Sequence, residues 1–161
     1  MPDFLIFLLF PVFGMMLYQD VKFRQIHVLL PIVVLVIVTY INMSNLNFQE
    51  MIKSLVFISI NFLVIAGYFS IKRKEILNPF KNYVGIGDLI FLIAVIPMFS
   101  FRNFMLFFIS GMIFSLLIHL ICQPRNVQTT IPLAGYLSLY VMALIVFDFF
   151  LPTNIFFDFI I

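Results

Sequence analysis

Apolar residues in this chain come in long unbroken runs, with neither the alternation of a half-buried strand nor the one-sided stripe of a soluble amphipathic helix. A helix needs about 20 apolar residues to cross a bilayer, and six runs reach or approach that length, at about 3–20, 28–43, 53–71, 87–100, 103–122 and 130–150. The pattern predicts an all-α integral membrane protein, a bundle of six transmembrane helices. The fourth run is the weakest, being short and containing Pro97. Pro11 in the first run predicts a kink that neighbouring helices can satisfy. The connections are short, so residues 1–161 read as a single membrane-embedded domain with no separate soluble domain. The final stretch, LPTNIFFDFII, is apolar but too short to cross, and reads as interfacial.

Composition agrees with the pattern and narrows the function classes. Of 161 residues, 64% are hydrophobic and 10% charged, too few charges to clothe a soluble domain of this size. A net charge of +2 with no basic patch excludes a nucleic-acid partner and leaves the lipid bilayer. The 23 phenylalanines, with no tryptophan, read as lipid-facing and core bulk. Cys122 is the lone cysteine, so no disulfide framework or CxxC zinc site exists within the chain. His27 and His119 are too far apart and too poorly accompanied to form a metal site. No metal and no organic cofactor is therefore expected. The N-terminal run has no positive leader region, carries Asp3, and has its cations after the apolar stretch, so it reads as a retained span and not as a signal peptide.

The cations fix an orientation. The connections after the first, third and fifth runs hold Lys22, Arg24, Lys72, Arg73, Lys74, Lys81 and Arg125; those after the second and fourth hold Lys53 and Arg102. Cytosolic loops are enriched in Lys and Arg, so the first set faces the cytosol and both termini lie on the far side of a cytoplasmic membrane. The largest cytosolic loop is then IKRKEILNPFKNYVG, whose charges solvate it and touch anionic lipid.

Two carboxylates gain meaning from that topology. Asp20 ends the first run, directed inward, and Asp88 opens the fourth, directed outward, so both lie at the cytosolic boundary. Each has a structural explanation of its own. Asp88 in GIGD could cap its helix, and Asp20 could be an interfacial charge beside Lys22 and Arg24. Ionisable groups at membrane depth nevertheless lean towards function, and two at matched depth more so. Two carboxylates sharing a site do not both ionise cheaply. One stays charged and draws a proton from water, while the other stays protonated and polarises a scissile carbonyl, which is the division that peptide hydrolysis requires. The assignment of base and acid stays open, and the pair titrates as one unit. Gly85 and Gly87, lacking Cβ atoms, permit close approach of backbone or an extended peptide, and could take up φ > 0 where the chain turns into the helix. The stretch is not a phosphate loop, since it has neither GxGxxG nor a P-loop lysine.

These residues resemble a family. An aspartate ending the first span in YQDVKFRQIHV, followed by GxGD as GIGD at Gly85–Asp88, is similar to the type IV prepilin peptidases, GxGD membrane aspartic proteases related to archaeal preflagellin peptidases. TIPLAG, Thr130 to Gly135, resembles the Ile-Pro-containing lead-in to that family's last helix. The resemblance spans nearly the whole chain. It implies a six-helix protease core with Asp20 and Asp88 as the catalytic aspartates. The implied activity is removal of the short basic leader of prepilin-like or pseudopilin-like membrane substrates at the cytosolic face. Many relatives also carry a cysteine-tetrad loop and N-methylate the product. With one cysteine and no such insertion, this chain is expected to be a peptidase without methyltransferase activity. It departs from the family's pattern at Ile26-His27-Val28, where Ile-Pro-Asn is usual, and at Ile90, where bacterial members often have lysine. It also lacks the Pro-Ala-Leu signature of the presenilin-like GxGD proteases.

The remaining polar residues read as structural. His119 is expected to hydrogen-bond a neighbouring helix. Ser59, Asn61, Ser110 and Ser115 read as interhelical hydrogen-bonding or packing sites, and Gly67, Gly111 and Gly135 as close helix contacts. Asp148 is expected to be solvated near the outer boundary. Two rival functions use the same residues: a proton- or cation-coupled transporter or channel subunit, and a non-catalytic membrane assembly partner. Against the first, the carboxylates lie near one boundary instead of the midplane, and no internal repeat is visible.

Overall fold

The computed structural model describes residues 3–43, 46–73, 85–122 and 131–150. Among them the chain is helical throughout and forms six helices: α1 (Asp3–Phe23), α2 (Leu29–Ile41), α3 (Phe48–Arg73), α4 (Ile86–Val95), α5 (Phe101–Cys122) and α6 (Leu133–Phe150). A single 3₁₀ turn, Ile96–Met98, follows α4. Pro97 explains that tightening, because it has no N–H to continue the α-helical ladder. Pro11, by contrast, lies within α1 and the helix runs through it.

The helices are of two kinds. Leu5–Phe23, Phe48–Tyr68 and Phe101–Cys122 are long and apolar enough to cross a membrane, which marks the chain as a membrane protein. Leu29–Ile41, Ile86–Met98 and Leu133–Asp148 are apolar but shorter. Helix α3 begins at Phe48, ahead of the apolar run expected from about residue 53, because its charged first turn closes on itself. Lys53 Nζ donates to Glu50 Oε1 at 2.6 Å, and the Ser54 hydroxyl donates to the Glu50 carbonyl at 3.0 Å. The loop between α3 and α4, with Lys74 and Lys81, lies outside the described residues, as do Arg125, Thr130 and the apolar tail from residue 151.

Packing places the shorter helices inside. Helices α1, α2, α4 and α6 form a closed ring in which each touches the next, and α6 returns to α1. Helix α5 lies against α6, and α3 against α5 and the 3₁₀ turn. The core of the ring is aromatic and aliphatic, with Leu9, Phe13, Phe91 and Leu137 fully buried and the Phe13 and Phe91 rings meeting edge to face at 6.3 Å. The phenylalanines divide as expected: Phe104 and Phe107 are also in the core, whereas Phe7, Phe48 and Phe150 lie on the outside. The outer surface keeps large apolar side chains along its length, among them Met15, Val36, Leu63, Ile109 and Ile121, as a lipid-facing surface requires.

Two glycines set the spacing of α6 from its neighbours. A Cβ on Gly111 of α5 would lie 2.6 Å from Leu137 Cδ2 of α6, and one on Gly135 of α6 would lie 3.0 Å from Asp20 Cβ of α1. Each position lets two helix backbones approach more closely than any side chain would allow. Gly67 has nothing near it and plays no such part. The hydrogen-bonding residues also divide. Ser59 and Asn61 bond back into their own helix at the Leu55 and Phe57 carbonyls, while Ser110 accepts a hydrogen bond from the Tyr140 hydroxyl of α6 at 2.9 Å. Ser115 is fully buried, and its hydroxyl has no hydrogen-bond partner among the described residues.

Candidate active site

The first turn of α6 shows how the two aspartates are used. Pro132 precedes the helix and brings no N–H. The next four residues each bring one, and a helix start leaves such donors without intrahelical partners. Leu133 N–H goes to the Ile131 carbonyl at 2.9 Å, and Tyr136 N–H closes the first turn on the Pro132 carbonyl at 3.1 Å. The two donors between them go to side chains from other helices. Ala134 N–H donates to Asp88 Oδ1 at 2.9 Å, and Gly135 N–H donates to Asp20 Oδ2 at 2.6 Å. Residues 68 positions apart in sequence thus dock on consecutive amides at one helix N-terminus, the end that favours negative charge.

Each aspartate reaches this point by a local arrangement. Asp20 lies in the last turn of α1, and its carboxylate passes over Gly135, whose missing Cβ leaves the room. It is 7% exposed. Asp88 lies in the first turn of α4, where its own N–H bonds to the Gly85 carbonyl at 3.1 Å. Gly85 is the N-cap of α4 and makes no side-chain cap. The Asp88 side chain crosses to α6 while also taking a backbone hydrogen bond from Gly85 at the start of its own helix. The two carboxylates are within electrostatic reach of each other.

The glycines of GIGD act differently from expectation. Neither adopts φ > 0; Gly85 is extended, with φ −67° and ψ 134°. The need at Gly85 is space, because a Cβ there would lie 3.0 Å from Asp88 Oδ2, the oxygen not held by Ala134. Gly87 faces Ile26 of the α1–α2 turn, and a Cβ there would meet it at an ordinary contact distance of 3.6 Å. Within the chain, Gly85 keeps the aspartate side chain unobstructed, and Gly87 seats α4 on the turn that follows Asp20.

The other candidates sit as follows. His27 is exposed, its N–H donating to Gln19 Oε1 at 3.0 Å; it lines an open hollow of about 460 Å³ together with Gln19, Phe23, Gln25, Ile26 and Val28. His119 is half-buried on α5, its ring 6.4 Å from that of Tyr136 on α6. Asp148 is half-buried late in α6. Among the described residues no group of three or more His, Cys, Asp and Glu side chains could hold a metal ion. The pair of amides at Ala134 and Gly135 was not singled out from the sequence, although TIPLAG held a usable signal: a proline-initiated helix whose first free amides have no Ser, Thr, Asp or Asn beside them to cap them. No family model, curated protein or solved structure matches the chain.

Proposed function

We propose that the chain is a six-span membrane aspartic endopeptidase that removes the short leader of prepilin-like substrates at the cytosolic membrane face, without methyltransferase activity. The observation that carries this reading is the convergence of Asp20 and Asp88 on the Ala134 and Gly135 amides. Three further features support it: the GIGD sequence, the placement of both carboxylates at one end of the ring, and the cation distribution that assigns that end to the cytosol.

The arrangement supplies the parts of a hydrolysis. One oxygen of each carboxylate is held by an α6 amide, and Asp88 also takes a backbone hydrogen bond from Gly85. Two amides and the helix dipole stabilise a single negative charge well, while two adjacent carboxylates repel, so the pair holds one shared proton. The ionised member takes a proton from water as its oxygen attacks the scissile carbonyl carbon. The protonated member gives its proton to the carbonyl oxygen, forming a tetrahedral diol. Collapse of the diol breaks the C–N bond, the amine leaves with the proton held by the pair, and a diol hydroxyl, becoming the product carbonyl, gives its own proton to the pair and restores it with one. The substrate is a basic leader followed by an apolar helix: the leader meets the cytosolic loops, and the helix lies beside the ring in the lipid.

The test is reconstitution of the full chain in liposomes with a prepilin-like protein carrying a basic leader, a glycine and an apolar helix. Mass spectrometry should find the leader released. A chain that releases no leader but conducts protons or cations in a manner dependent on Asp20 and Asp88 is a relay instead, and the protease reading is then wrong.

A further inference from the structure

Arg24 is the one non-glycine residue with positive φ among the described residues, at 55°. It ends α1, and its N–H donates to the Asp20 carbonyl at 3.0 Å, the single bond that closes a helix through a left-handed residue. Glycine is the usual occupant of that position, because a side chain there clashes with its own backbone. A retained unfavourable conformation next to a functional carboxylate calls for an account of what the side chain does.

The side chain turns into the site. Arg24 is half-buried, with Nη1 shut off from solvent, and the guanidinium lies within electrostatic reach of Asp20 and of the Tyr136 hydroxyl on α6. Lys22, the other cation near Asp20 in sequence, turns away. Its Nζ donates to the Tyr18 hydroxyl at 2.6 Å and sits over the Tyr18 and Phe23 rings on the exposed side of α1. Among the described residues, the other titratable groups facing this corner are Asp88 from α4, Tyr136 from α6, and Cys122 and His119 from α5. None of these contributes a fixed positive charge, whereas Arg24 always does.

We infer that Arg24 is a positioning residue, its guanidinium setting the charge balance of the Asp20–Asp88 pair and its left-handed backbone serving to aim it there. This rests on the proposed protease reading for its consequence in catalysis, but the electrostatic link can be measured without catalysis. A cation beside the pair favours its charged form, so losing the cation lets the pair hold protons to higher pH.

Arg24→Gly separates the two roles of the residue, since glycine satisfies the left-handed backbone while removing the charge. The full chain in liposomes is followed by thermal unfolding, by the pH dependence of leader cleavage, and by the infrared band of protonated carboxyl groups. Arg24→Gly should unfold no earlier than the native chain. Its pH–rate profile should move up by about one unit, so that cleavage on the acid side falls about tenfold, and the carboxyl band should persist to correspondingly higher pH. Arg24→Lys should return both towards their native positions. An Arg24→Gly chain with an unmoved profile and an unmoved band overturns the inference. So does one that loses cleavage only in step with its thermal stability and is not rescued by lysine, because Arg24 would then belong to the fold. If the native chain releases no leader and the band still moves in Arg24→Gly, the protease reading fails while the role of Arg24 stands.

Discussion

At one end of α4, Glu50 reaches from α3 to the Phe101 N–H that opens α5, at 3.1 Å; at the other, Asp20 and Asp88 reach from α1 and α4 to the amides that open α6. The task is the same, a carboxylate from a neighbouring helix satisfying a helix start. The electrostatics differ. Glu50 is a single acid, its side chain 28% exposed, with Lys53 on its other oxygen at 2.6 Å. Asn42 adds a neutral bond there, its side-chain amide donating to the Pro97 carbonyl at 2.9 Å. The aspartate end crowds two acids onto adjacent amides, one of them 7% exposed, with Lys22 turned away and Arg24 within electrostatic reach. A helix start needs one capping acid. The second, at the cost of like-charge repulsion, is what the glutamate end does without, and it is what proton-sharing chemistry requires.

The comparison breaks most visibly under substitutions that keep shape. Asp20→Asn and Asp88→Asn each retain an oxygen for the Gly135 or Ala134 amide, so the helix start survives while the titrating group is lost. Each should lower leader cleavage by a factor on the order of 10³ or more, with little change in folding by circular dichroism. Next in size is Gly135→Ala. Its Cβ would lie 3.2 Å from Asp20 Oδ2 in a packed corner and must push the carboxylate aside. A displacement of that kind should cost about 10- to 100-fold in cleavage rate while the protein still inserts. Gly67→Ala, with open space around it, is the matched control and should cleave normally.

At the glutamate end the expected effects lie in stability alone. Asn42→Ala removes a buried bond and should lower unfolding stability by about 1 kcal/mol, with the folded protein cleaving at the native rate. Glu50→Gln keeps an oxygen for Phe101 and loses the ion pair with Lys53. Its thermal unfolding should shift slightly downward and its cleavage not at all. Cleavage that falls with Glu50→Gln as it does with the aspartate variants would erase the distinction between the two ends.

The aspartate pair was legible in the sequence because it follows from counting apolar runs. Two runs lie between them, and an even number of crossings returns a chain to the face it left, so the expected topology puts Asp20 and Asp88 at one boundary without any knowledge of packing. The GIGD glycines were legible as a place of close approach, but the closeness of Asp88 Oδ2 to Gly85 was not. The extended φ of Gly85 and the position of Asp88 Oδ2 over it depend on the side-chain direction chosen by a third helix. The early start of α3 was hidden because Glu50, Lys53 and Ser54 look like a polar connection until their bonds to one another are seen. The Glu50–Phe101 and Asn42–Pro97 contacts span 51 and 55 residues and leave no periodic trace in the chain. The left-handed backbone at Arg24 had no signal either, since residues that favour this conformation are glycine and asparagine.

That Asp20 and Asp88 act as one proton-sharing unit is tested most directly by the rate of leader release from four chains in liposomes: native, Asp20→Asn, Asp88→Asn and the double variant, with Asp148→Asn as a control. The two single variants should both fall to the floor, the double variant should be no slower than either, and the control should match the native chain. Robust cleavage by either single variant, or single losses that are partial and multiply in the double variant, would contradict the shared-proton pair.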